Sequence, residues 1–175
     1  MSHLAGLSGV RCFPPVVGIA PKVLILGSAP GRVSLDAVEY YAHPRNLFWR
    51  FLGDLLGFSP RLPYAERLDR LTDAGIALWD VIAACERTGS LDSEIMPGSI
   101  ETNDFQAFFS VHRSIQHVYF NGTAAENEFR RKVLPELAIP CPALHRLPST
   151  SPAHAARSLA EKQHAWSAIM TAINM

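Results

Sequence analysis

The feature that most constrains the fold is a short apolar run near the N-terminus, KVLILG, at residues 22–27. The run is continuous rather than alternating, and it is bounded by Pro21 on one side and by glycine and proline on the other. Runs of this kind are typical of strands that are buried on both faces of a parallel sheet. The same reasoning predicts three further strands, at residues 76–82, 117–122 and 141–148.

Helical patterns fill the intervals between these strands. Apolar residues recur at helical spacing in three segments, residues 48–55, 64–71 and 105–112. Thr123 with Glu126 has the pattern of a capping box and predicts a helix start, and Ser151 before Pro152 predicts the start of the last helix, which carries Trp166. Strands that alternate with helices predict an α/β fold in which helices cover both faces of a parallel sheet.

Composition narrows the class of protein. A chain of 175 residues with 48% hydrophobic and 18% charged residues predicts one domain, residues 1–175, and excludes a disordered chain. Residues 1–21 are apolar and rich in proline and glycine, and we expect them to form an N-terminal arm packed on this domain. No apolar run reaches about 18 residues, so no membrane partner is predicted. The three cysteines suit neither a disulfide framework nor a metal site, which predicts a cytoplasmic protein without a metal.

The segment after the first strand contains residues suited to a base pocket. Ligands of such sheets bind beyond the carboxyl ends of the strands. The loop GSAPG has no GK[ST], so it is not a Walker loop, and its glycines alone fit an ordinary tight turn equally well. Beyond it, aromatic residues mix with an asparagine, a histidine and an arginine, a combination that suits stacking on a base and hydrogen bonding to its edge. These residues are Tyr40, Tyr41, His43, Arg45, Asn46, Phe48 and Trp49.

A second segment, LPSTSPAH, follows the fourth predicted strand. Its small hydroxyl residues and backbone amides can hold a phosphate without positive charge, although an ordinary capped helix start is the equal alternative. Because 16 Lys and Arg balance 16 Asp and Glu, a nucleic acid would have to be held by such local features. The candidate DNA-binding loop is Pro148, Ser149, Thr150, Ser151, Pro152, Ala153 and His154.

Four segments, GSAPGRVSLDAVEYYAHPRNLFWR, LWDVIAACERTGSLDS, YFNGTAA and LPSTSPAHA, together resemble the hypoxanthine-DNA (deoxyinosine) glycosylase family of the uracil-DNA glycosylase superfamily. The resemblance implies a three-layer α/β/α domain with a short, mainly parallel four-stranded sheet. It implies a monofunctional enzyme, most simply a monomer without a cofactor, that flips a deaminated base out of DNA and hydrolyses its N-glycosidic bond.

The resemblance also assigns roles to residues. It makes Asn46 the catalytic amide and Phe48 the ring that stacks on the extruded base, and it places Asp80 where relatives often have a base-reading amide. Ser28 stands where the wider superfamily has Asp or Asn, and Leu147 where it often has His or Asn. The expected base pocket is Gly27, Ser28, Ala29, Pro30, Gly31, Tyr41, Phe48, Asp80 and Asn121.

Several alternatives stay open at this point. Asp36 or Glu39 is an alternative general base near the glycine loop. Uracil or xanthine is an alternative target to hypoxanthine. Two alternatives belong to a different class: a module that binds DNA lesions without catalysis, and a domain of flavodoxin type that binds small nucleotides. They stay open because a fold alone does not set function.

Overall fold

The computed structural model describes residues 8–175. Its strands, in chain order, are β1 (Ser8–Arg11), β2 (Val23–Gly27), β3 (Ile76–Asp80), β4 (Ile82–Arg87), β5 (Glu101–Thr102), β6 (His117–Asn121) and β7 (Ala143–Leu147). Its α-helices are α1 (Arg32–Ala37), α2 (Phe48–Leu56), α3 (Tyr64–Asp73), α4 (Phe105–Val111), α5 (Thr123–Glu128), α6 (Leu159–Trp166) and α7 (Ala168–Ile173).

The central sheet contains the four strands that the sequence predicts. Its order is β3-β2-β6-β7, and all three neighbouring pairs are parallel. Every residue of β2 and β3 is buried, which is why their sequences read as continuous apolar runs. The predicted parallel α/β sheet is therefore confirmed.

Alternate side chains of β2 point to opposite faces of the sheet, and each face has its own helical layer. Val23 and Ile25 pack in a cluster with residues of α2, α3, α6 and α7, among them Trp166. Leu24 and Leu26 pack in a second cluster with α4 and α5. The three-layer α/β/α architecture is confirmed.

A second, smaller sheet was not predicted. Its strands are antiparallel, in the order β1-β4-β5. The apolar run at residues 76–82 does not form one strand: the chain leaves the central sheet after Asp80 and enters the small sheet at Ile82. Residues 1–7 of the expected N-terminal arm lie outside the described residues, whereas residues 8–11 form β1 and Val16 bridges to Leu78 of β3.

One of the two predicted helix starts is confirmed and the other is wrong. The helix α5 begins at Thr123, but its N-cap is Gly122 and no side chain caps it, so the predicted capping box is absent. The Ser151–Pro152 segment is a turn outside any helix. The last helical segment begins seven residues later, where Ser158 is the N-cap and forms the reciprocal capping box with Glu161.

Candidate active site

A cavity of about 610 Å³ opens at the carboxyl ends of β2, β3 and β6. This is the edge at which open parallel sheets bind ligands, and the volume lies in the range of small-molecule sites. The lining includes most of the expected pocket residues, namely Gly27, Ser28, Ala29, Pro30, Gly31, Tyr41, Asn46, Asp80 and Asn121. From the second segment it includes Ser149, Thr150, Ser151, Pro152 and Ala153.

Tyr41, rather than Phe48, presents an aromatic ring to this cavity. Phe48, for which a direct contact with a base is predicted, is fully buried at the start of α2 and does not line the cavity. The Tyr41 ring stacks on Phe48 with centroids 4.1 Å apart and planes at 22°. Tyr41 has a left-handed backbone, φ 55°, which is costly for a tyrosine and turns its side chain toward the cavity. Phe48 therefore supports the ring that lines the site.

Asn46 lies where the cavity meets a second, shallower groove, and it lines both. Its Oδ1 accepts a hydrogen bond of 2.9 Å from the backbone N–H of Phe48, which fixes the orientation of the amide. Within residues 8–175, Nδ2 donates to no protein group. The side chain is thus anchored by its oxygen and offers its NH₂ group to the cavity.

Thr150 joins the two functional segments. Its backbone N–H and side-chain hydroxyl bond to the two ends of the Asn121 amide, at 2.9 and 2.8 Å. Its carbonyl accepts from the N–H of Leu47 at 3.0 Å. Asn121 therefore positions the loop, while each end of its amide keeps a second bonding capacity at the wall of the cavity. Thr150 itself is fully buried.

The rest of the second segment is anchored to α6. Trp166 Nε1 donates to the carbonyl of Pro148 at 2.9 Å, and Lys162 Nζ donates to the carbonyl of His154. Pro148 and His154 are the two members of the expected DNA-binding loop that do not line the cavity. His154 is exposed beside it, and Leu147 belongs to the core.

Asp80 lies at the floor of the cavity and is only 3% exposed. Its backbone carbonyl accepts from Asn103 Nδ2 at 2.7 Å, but its side-chain Oδ2 has no hydrogen-bond partner among the residues that the structure describes. Burial and the nearby Asp92 carboxylate raise the pKa of Asp80 to about 7, although Arg87 opposes the shift. At neutral pH this carboxyl group therefore holds its proton for a large part of the time.

The motif LWDVIAACERTGSLDS includes the loop after β4, but Asp80 is the one predicted site residue in that motif. Ser90, Leu91, Asp92 and Ser93 line the cavity opposite the glycine loop. Ser28 Oγ donates to Asp92 Oδ1 at 2.5 Å, and Ser90 Oγ accepts from the N–H of Arg32 at 3.1 Å. A carboxylate from elsewhere in the chain therefore lies beside Ser28, the position at which the wider superfamily has Asp or Asn. Asp92 stands near the end of the motif LWDVIAACERTGSLDS, but the sequence alone assigns it no role.

The two carboxylates considered as alternative bases lie away from the cavity. Asp36 is exposed on α1 and does not line it. Glu39 faces the second groove and pairs with Arg67 at 3.7 Å. That groove also contains Arg45, Arg50 and Arg61, so positive charge lies directly beside the cavity.

The part of the chain that the structure describes contains neither a metal site nor a membrane-spanning helix. Within residues 8–175, no group of three or more His, Cys, Asp and Glu side chains is arranged to hold a metal ion. None of the helices within the same range is long and apolar enough to cross a membrane.

Comparison with known proteins connects this geometry to a family. Residues 14–170 match the model of the uracil DNA glycosylase superfamily. A hypoxanthine DNA glycosylase of Methanosarcina barkeri is 40% identical over 111 residues, which cover 63% of this chain and 69% of the relative. One of Methanosarcina acetivorans is 38% identical over 116 residues, covering 66% and 72%. A solution NMR structure of a candidate uracil DNA glycosylase from M. acetivorans superposes with a TM-score of 0.77 at 31% identity, covering 96% of this chain and 100% of the other.

Proposed function

This chain belongs to the uracil-DNA glycosylase superfamily and is a DNA glycosylase, and we propose that it removes hypoxanthine, the deaminated form of adenine, from DNA. The choice of base rests on the Asp80 carboxyl at the floor of the cavity, whose pKa is raised to about 7. A carboxyl group that is partly protonated can donate to an acceptor of a purine as well as accept from a ring N–H. The two relatives named as hypoxanthine DNA glycosylases support the same choice.

The base would be held between a ring and a polar floor. Tyr41 offers its face, and Phe48 behind it keeps that ring in place. Stacking of a base on an aromatic side chain contributes about 1–3 kcal/mol. Because a face contact accepts any base, we assign selectivity to the polar groups below the ring and affinity to the ring itself.

The reaction is hydrolysis of the bond between C1′ and N9. As this bond breaks, positive charge develops on the sugar and negative charge on the base, so catalysis requires groups that stabilise both. We assign Asn46 to the reacting centre: its anchored amide offers hydrogen-bond donors there but cannot take a proton. None of the residues lining the cavity is a lysine, which favours attack by water over a Schiff base.

DNA would approach across two surfaces. The arginines beside Asn46 in the second groove suit the phosphates of the strand that carries the target base. The loop at residues 149–153 forms the opposite rim, and its attachment to Asn121 and Leu47 keeps it at a fixed distance from the glycine loop. We propose that this loop occupies the gap left by the extruded nucleotide.

The test is release of the free base from synthetic duplexes. Duplexes with a single inosine, uracil or xanthine are incubated with excess enzyme, and the released base and the abasic site are quantified. Hypoxanthine should be released fastest, and Asn46→Ala should lower the single-turnover rate by about 10²–10³-fold, as removal of an electrostatic donor does elsewhere. Asn127→Ala is the matched control, since this asparagine is exposed on α5 in the opposite layer.

Each alternative function predicts a different outcome of this base-release test. Faster release of uracil or xanthine would replace the proposed base. Binding of the inosine duplex without release of any base would indicate a lesion-binding module. Full activity of Asn46→Ala, with Asn46→Asp equally active, would move the catalytic role to another residue of the cavity.

A further inference from the structure

Asp80 combines deep burial with an unused bonding capacity. The side chain ends β3 at the base of the cavity, and none of residues 8–175 forms a hydrogen bond with Oδ2. Buried polar atoms in folded proteins are nearly always hydrogen-bonded, so an orphan that lines a cavity points to a missing ligand. The hydroxyl of Tyr41 is a second buried orphan in the same place.

These two groups lie on either side of Gly27. A Cβ atom at this position would lie 2.5 Å from Asp80 Oδ1 and 2.8 Å from Tyr41 Oη. The absence of a side chain at Gly27 is therefore what leaves room for both the carboxyl and the phenol at the end of β2. The result is a compact polar floor beneath the Tyr41 ring, and a flat heterocycle placed on that ring would have its edge against this floor.

Few charged groups near Asp80 favour its ionised form. Asp92 faces it from the loop after β4, and Tyr40, Tyr41 and Cys12 lie close enough for their own ionisation to be disfavoured by its charge. Among residues 8–175, Arg87 is the cation that acts on it, and Arg87 is itself buried and donates to the carbonyl of Pro30. Burial and Asp92 thus outweigh Arg87, which raises the pKa of Asp80 to about 7.

We propose that Asp80 is the general acid of the reaction, and that its carboxyl proton passes to N7 of the departing purine. The inference rests on the proposed function. As the C1′–N9 bond breaks, its electron pair stays on the imidazole ring, and the proton from Asp80 neutralises that ring at N7. Water adds to C1′ and releases its own proton to solvent. The base leaves as neutral hypoxanthine, and Asp80 regains a proton from water before the next turnover.

The experiment measures single-turnover rates on an inosine duplex between pH 5 and pH 9. For the wild type, the rate should fall about tenfold per pH unit above about 7, because the acid form of Asp80 disappears there. Asp80→Asn keeps the shape and a hydrogen-bond donor but has no proton to transfer. It should be slower by about 10²–10⁴-fold and should lack this alkaline decline. Asp36→Asn, an exposed carboxylate on α1, is the matched control and should follow the wild type.

A second variant keeps the test decisive even if Asp80→Asn folds poorly. Asp92→Asn removes a charge that raises the pKa of Asp80, so the alkaline decline should begin at lower pH in this variant. An unchanged decline in Asp92→Asn, or a decline that persists in a folded Asp80→Asn, would place the titrating group elsewhere and overturn the proposal.

The acceptor is tested with 7-deaza-2′-deoxyinosine, in which carbon replaces N7. The wild type should bind this duplex but release its base at least about 10²-fold more slowly than hypoxanthine. Equal rates on both duplexes would overturn proton transfer to N7. Failure of the proposed function is a separate result, since the wild type would then release no hypoxanthine at any pH.

Discussion

Gly27→Ala is the substitution for which the structure gives the sharpest expectation. Only a methyl group is added, at the end of a fully buried strand. It would stand 2.5 Å from Asp80 Oδ1 and 2.8 Å from Tyr41 Oη, both closer than the 3.0 Å below which real Cβ contacts are essentially absent. The Asp80 carboxyl is only 3% exposed, so relief of the clash requires it to shift toward the cavity that it lines.

The magnitude follows from the cost of overfilling a packed site. Insertion of one methyl group into a well-packed region destabilises a protein by about 1–3 kcal/mol. For a domain of this size each kcal/mol lowers Tm by about 2–4 °C, so we expect a decrease of about 2–12 °C. Excision should fall further than stability alone explains, because the clash displaces the two polar groups on which base recognition depends.

The assay compares Gly27→Ala with Gly31→Ala from the same loop. A Cβ at Gly31 would meet Ser90 Cβ at 3.8 Å, an ordinary contact, and its backbone is in a region open to any residue, with φ −74°. Gly31→Ala should therefore stay within about 1 kcal/mol of the wild type in thermal or urea unfolding. Equal stability of the two variants, with full excision by Gly27→Ala, would refute the close packing of Asp80 and Tyr41 against Gly27.

Three further predictions concern the loop and the far end of the sheet. Lys162→Met removes the bond to the His154 carbonyl while keeping the side chain's length, and it should weaken binding of an inosine duplex more than it lowers the single-turnover rate at saturation. Ser158→Ala should cost about 1 kcal/mol, or about 2–4 °C in Tm, because a capping box is lost. Burial and the neighbouring His117 lower the pKa of His145, so the folded state binds a proton at His145 less readily than the unfolded chain does. Stability should therefore decline as the pH falls below about 6.5. In thermal unfolding, His117→Gln should reduce this decline.

The sequence predicts the central sheet well because burial on both faces leaves a direct mark on it. The parallel strands β2 and β3 are apolar at nearly every position, and such runs fit few other structures. The same continuous burial conceals the point after Asp80 at which β3 ends and the chain passes into the small sheet. Val81 and Ile82 are buried like the residues before them, so nothing local indicates that the chain leaves one sheet and enters another.

The candidate site divides in a similar way. The cluster from Tyr40 to Trp49 is visible as an unusual composition, but which ring reaches the cavity depends on the left-handed backbone of Tyr41, and single-residue propensities do not predict that. Asp92 lies in one of the motifs that carry the resemblance, but its contact with Ser28 cannot be predicted from the sequence. It reaches Ser28 across 64 positions of sequence, through the small antiparallel sheet.

The junction between the two sheets has a consequence for how this enzyme can diverge. Backbone N–H groups of Val81 and Ile82 donate to the carbonyls of Gly27 and Ser28, so the turn between β3 and β4 is tied directly to the glycine loop. A change in the length or twist of β1 or β5 would therefore tilt the Asp80 carboxyl relative to the Tyr41 ring. Mutations in the small antiparallel sheet can therefore change which bases the enzyme accepts, while the residues that contact DNA stay the same.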